Sequence, residues 1–155
     1  LETLAGEKLT AGEEAVQAAP LAATHVRTLD LSEWLTDDNR RNLIFIAELW
    51  QDGRLVATQS AFFAPTKHLQ LTDPQVAAVC RCEGETLHVD LHGRSLARLV
   101  EVSLEGTDVV FSDNYFDLPA GRSATVTCSL PPGWDVYQAQ TALQVRSVYN
   151  SFTHG

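Results

Sequence analysis

"ETLHVDLHGRSLARLVEVSL", residues 85–104, contains two runs of alternating polarity. In the first, Leu87, Val89 and Leu91 share one face, and Thr86, His88, Asp90 and His92 share the other. In the second, Val100, Val102 and Leu104 fall on one face. Successive strand side chains point to opposite sides, so each run predicts a half-buried strand. "SATVTCSL", 123–130, repeats the pattern, with Ala124, Val126, Cys128 and Leu130 inward and the serines and threonines outward. "QTALQVRSVY", 140–149, aligns Leu143, Val145 and Tyr149 as a further strand. Turn signals separate the runs at Gly84, Gly93, Gly106, Pro119-Ala120-Gly121 and Pro131-Pro132-Gly133. About seven short strands between residues 75 and 150 predict an all-β, immunoglobulin-like sandwich.

The earlier half reads differently. "NLIFIAELWQDGRLVATQSAFF", 42–63, predicts a hairpin turning at Asp52-Gly53. Val26 to Leu31 reads as a strand, Ser32 as the cap of a helical turn "SEWL", and residues 1–19 as weak strands around Gly6 and Gly12. Four or five strands are too few for a closed sandwich, so the first of two sandwiches is expected to be incomplete. Both faces of 43–50 are apolar: Leu43, Phe45 and Leu49 on one, Ile44, Ile46 and Trp50 on the other. That fits a central strand under loops, or a surface that meets another domain. "FFAPTKHLQLTDPQ", 62–75, with Pro65 and Pro74, reads as a stiff extended connector.

The 155 residues hold 20 acidic and 11 basic side chains, a net charge of −9, without a basic cluster. That field repels nucleic-acid phosphates and anionic membranes, and leaves sugars and other proteins as partners. No apolar run approaches the ~20 residues of a helical membrane span. Three cysteines make a poor disulfide framework. The chain opens at Leu1 without a methionine and reads as a piece of something longer.

Candidate chemistry is sparse. His88, Asp90 and His92 share a face, as metal ligands or a solvated strand face would. Residues two apart on a strand are separated by ~6.6 Å, which leaves His88 and His92 too far apart to share a zinc ion. Cys80, Cys82 and Cys128 read as small core hydrophobes, or as a disulfide from Cys128 to one of the others. No serine-nucleophile or phosphate-loop motif occurs, and Asp108, Asp113 and Asp117 lack EF-hand spacing. "VVFSDNYFDLPAGRSATVTCSL", 109–130, runs through an acidic and aromatic knot, Asp113-Asn114-Tyr115-Phe116-Asp117. A sandwich corner, a sugar platform and an irregular calcium site all suit it.

Two phrases resemble a known family. "FFAPTKHLQLTDP" and, further on, "FSDNYFDLPAG" resemble the C-terminal immunoglobulin-like region of β-mannosidases of glycoside hydrolase family two. "HVRTLDLSEWL" and "IAELWQDGRLVA" look like closing strands of the sandwich before it. The resemblance implies a complete terminal sandwich over residues 66–150, the later strands of its predecessor over 1–65, and a tail at 151–155. It implies a parent enzyme that releases terminal β-mannose with retention, using two carboxyl groups ~5 Å apart on a barrel of ~250 residues. Neither catalytic motif is matched, so no catalytic residue, cofactor or metal is carried over. The implied partners are the catalytic barrel and other domains of that enzyme, with a β-mannoside as a further ligand. Lys67, Asp113, Asn114, Tyr115, Phe116 and Asp117 are the candidates for packing or cleft contact. The incomplete first sandwich is expected to self-associate. Rival readings are an autonomous carbohydrate-binding module and an interaction sandwich that belongs to no enzyme.

Overall fold

The computed structural model describes residues 1–17 and 19–153. It divides into two compact units, Leu1–Thr3 with Glu7–Leu69, and Leu4–Gly6 with Gln70–Gly155.

The first unit holds one antiparallel sheet in the order β1 (Glu2–Thr3), β2 (Leu43–Gln51), β3 (Arg54–Phe62). The β2–β3 hairpin turns at Asp52 and Gly53, both at positive φ, as a tight two-residue connection requires. β1 covers only Leu43 and Ile44, which are buried, and beyond them β2 becomes progressively exposed. Leu49, Trp50, Leu55 and Val56 stand in solvent at the far end. A single turn at Thr66–His68 follows. Val26–Leu31 is no strand, although its residues alternate: alternation describes one segment's faces, whereas a strand also needs a partner edge. The turn at 32–35 forms, but Asp30 Oδ1 accepts the Ser32 N–H, so the carboxylate before the serine terminates it. Residues around Gly12 form no ladder, and near Gly6 only a Glu2–Lys8 bridge appears.

The second unit is an immunoglobulin-like sandwich. One sheet runs β4 (Ala77–Glu83), β5 (Thr86–His92), β8 (Ser123–Ser129) in the order β4-β5-β8. The other combines β6 (Ala97–Leu104), β7 (Phe116–Leu118) and β9 (Leu143–Arg146) in the order β7-β6-β9. The alternation sets the core: Leu87, Val89, Leu91, Val126 and Cys128 from one sheet, Val100, Val102, Leu104 and Leu118 from the other. Burying each such aliphatic side chain is worth ~1.5–3 kcal/mol. All three cysteines are free thiols, Cys80 and Cys128 buried and Cys82 half-buried. Burial raises the Cys80 thiol to about 11, and neighbouring Cys82 and Cys128 push the same way.

Among the described residues six strands form here rather than seven, because Val136–Ala142 is a helix, α1, and Val148–Thr153 a second, α2. Only Leu143–Arg146 of the expected last strand pairs, with β6. The signal for α1 is local: Asp135 accepts the Gln138 N–H at 2.8 Å and Gln138 returns the bond to the Asp135 N–H, a capping box. That box overrides the β-branched and aromatic start of "VYQAQTA".

Candidate functional site

The acidic and aromatic knot sits where the chain passes between the two sheets of the sandwich. Ser112 pairs with the outer edge of β8: its N–H donates to Thr127 O at 2.7 Å, and its Oγ accepts the Thr127 N–H at 2.9 Å. Two residues on, Asn114 pairs with β6. Its Oδ1 accepts the Val102 N–H at 2.8 Å, and its amide donates to Val102 O at 2.9 Å. The side chain thus stands in for a strand residue. Two residues span at most ~7 Å, less than the ~10 Å between stacked sheets, so side chains supply the remaining reach.

Asp117 works on a bulge. Ala97 pairs with Leu118 and Val100 with Phe116, which leaves Arg98 and Leu99 opposite Asp117 alone. The carboxylate engages both: the Arg98 guanidinium through both oxygens, and the Leu99 N–H at 3.1 Å. Leu99 has φ +50° and Tyr115 φ +60°, the left-handed region that costs a non-glycine residue ~1–2 kcal/mol. Both strained amides are paired, Leu99 to Asp117 and Tyr115 to Val100 O at 2.7 Å.

Asp113 Oδ1 accepts the Asn114 N–H, which helps bend the backbone. Phe116 packs against the core, whereas the Tyr115 ring is exposed and donates its hydroxyl to Glu101 at 3.1 Å. That carboxylate raises the phenol above its ordinary value. Asp113 to Asp117 therefore lie together along one edge of β6. Lys67 is exposed on the Thr66–His68 turn of the first unit.

The opposite side of the sandwich uses the same device. The Gln140 side chain, from α1, accepts the Cys80 N–H at 2.7 Å and donates to Ala78 O at 3.3 Å, covering the edge of β4. Its signal in the sequence was slight: a glutamine in a segment read as strand.

The His88, Asp90 and His92 face is a hydrogen-bonded surface ladder. Asp90 accepts from Thr125 at 2.7 Å and from Arg81 at 2.9 Å, bonds that hold its carboxyl below the ordinary range. His92 Nδ1 lies 3.1 Å from Ser123 Oγ, and His88 Nε2 lies 3.6 Å from Glu83. Among the described residues, no group of three or more His, Cys, Asp or Glu side chains could hold a metal ion. Trp34 and Trp50 belong to the first unit and Trp134 to the second.

Residues 71–151 match the Ig-fold domain family of mannosidases, and residues 1–68 match the mannosidase Ig/CBM-like domain family. Among curated proteins, none matches the chain. Among solved structures, the chain is similar to β-D-mannosidase from Dictyoglomus thermophilum, with a TM-score of 0.77 at 17% identity. The likeness covers 95% of this chain and 17% of that protein, and at such identity it is one of fold.

Proposed function

The chain belongs to the Ig-fold domain family of mannosidases, and on that premise we propose that it is a non-catalytic accessory region of a β-mannosidase. One observation carries the reading: two mannosidase Ig-type domains follow each other along the chain, over residues 1–68 and 71–151. A catalytic barrel needs roughly 250 residues of alternating strands and helices, and the described residues hold nine strands and two short helices. The role is therefore support: two small β units buttress the catalytic domain and hold the wall of its cleft. The knot at Asp113–Asp117 serves this by rigidity, since its strained and paired backbone keeps the Tyr115 ring and the acidic rim in one place. Lys67 contributes at a docking surface in the first unit.

The test compares the full-length enzyme with a version lacking residues 1–155, through release of p-nitrophenol from its β-mannoside and through thermal unfolding. Deletion is expected to lower the melting temperature of the catalytic domain and to reduce kcat/KM. The isolated chain is expected to release no product. A deletion that leaves both activity and melting unchanged would remove the support role.

A further inference from the structure

A second site of interest lies away from the knot, between the end of β6 and α1. An open groove of about 470 Å³ is lined by Glu105, Trp134, Tyr137, Gln138, Thr141 and Ala142. This volume falls within the ~300–1,000 Å³ of small-ligand sites. Its walls are fixed by local bonds. Glu105 N–H donates to Ala142 O at 2.8 Å, Trp134 N–H donates to Pro131 O at 3.0 Å, and the Asp135–Gln138 box pins the turn between the two aromatics.

Trp134 is half-buried, resting part of its indole on the core. Tyr137, by contrast, is 77% exposed, a large ring in solvent on a short rigid helix. Thr141 follows it at i+4, on the same face. Among the described residues, neither the Glu105 carboxylate nor the Trp134 indole N–H has a hydrogen-bond partner. The groove thus offers aromatic surface, one anionic acceptor and one N–H donor, on backbone held by local bonds.

We propose that this groove is a binding site for a neutral pyranose sugar. A sugar ring carries apolar C–H faces and a rim of hydroxyl donors, which match the aromatic surface and the Glu105 carboxylate respectively. The Trp134 N–H supplies a donor for a ring or hydroxyl oxygen. Acidic sugars are disfavoured by Glu105 and by the net charge of −9. A proline-rich peptide also suits aromatic grooves, but it presents carbonyl acceptors, which a carboxylate repels. Pre-fixed walls reduce the ordering cost of binding. The proposal goes beyond the support role and stands apart from it: sugar binding here and stabilisation of a catalytic domain are measured separately, and either can fail alone.

The experiment titrates the full chain with mannobiose and cellobiose, followed by the Trp134 indole N–H resonance and by tryptophan fluorescence. Saturable binding of at least one disaccharide is expected, with a shift of that resonance. Tyr137→Ala and Glu105→Gln are each expected to weaken it at least about fivefold, and Trp50→Ala, in the other unit, to leave it unchanged. Both sites are exposed, so the variants keep the wild-type unfolding transition, and Tyr137→Phe, which retains the ring, keeps binding. No saturation with either disaccharide, or saturation that survives both Tyr137→Ala and Glu105→Gln, would overturn the proposal.

Discussion

The side-chain amide of Asn114 makes the two hydrogen bonds with Val102 that a neighbouring strand would make, at 2.8 and 2.9 Å. Val102 is 1% exposed, so water cannot replace them. Asn114→Ala is expected to cost ~2–3 kcal/mol, since it leaves a buried N–H and C=O unpaired. Asn114→Asp should also destabilise, because a carboxylate cannot donate to Val102 O. Urea unfolding checks both, and an Asp variant as stable as wild type would show that the donor half of the pair is idle.

Asp117 and Arg98 make a second claim on the same edge. Their side chains are 16% and 20% exposed, so the pair is largely desolvated and losing either member is costly. Asp117→Ala is expected to cost about 3 kcal/mol, with the Leu99 amide at the bulge losing its acceptor as well. The double variant with Arg98→Met should cost much less than the sum of the single changes. Simple additivity in a double-mutant cycle would mean that the pair does not act as a unit.

The buried thiol gives a pH signature. Cys80 titrates near 11 in the fold, above the ordinary 9.0, so the unfolded chain gives up its proton first. Stability from this group is complete below pH 9.0 and is lost as pH rises toward 11. Cys80→Ala should flatten that part of the stability curve. In the native chain, a thiol reagent should reach Cys82 well before Cys80 or Cys128, which are buried. Equal rates at all three would contradict the burial.

The far end of the β2–β3 hairpin exposes Leu49, Trp50, Leu55 and Val56, and β3 is an edge strand. Unpaired edges with apolar side chains associate. We expect the isolated chain to self-associate with concentration in sedimentation velocity, and Val56→Lys to shift it toward monomer. A monomer at every concentration would assign no such role to the hairpin.

Strand positions were legible because alternation is local: Leu87, Val89 and Leu91 predict their own burial from spacing alone. The hairpin was legible because Asp52-Gly53 states its own turn. Val26–Leu31 was misread because pairing is non-local, and α1 because its capping box lay inside residues that favour strands. At the knot, sequence could place Asn114 and Asp117 beside a turn, yet their bonds reach Val102 and Leu99, 12 and 18 positions away. Nothing in the order of residues announces such reach. The Glu105, Trp134 and Tyr137 groove was hidden for the same reason, since its walls come from segments thirty residues apart.

Ser112 and Asn114, two positions apart, fasten one sheet to the other. Under a pulling force this is a rivet loaded in shear. Sliding the sheets apart means breaking whichever of the Thr127 and Val102 pairs is weaker, both of its bonds at once, whereas a strand peeled from a free edge gives way one bond at a time. The sandwich should therefore resist stretching along its strands far better than its six short strands alone would suggest, with the first yield at the rivet.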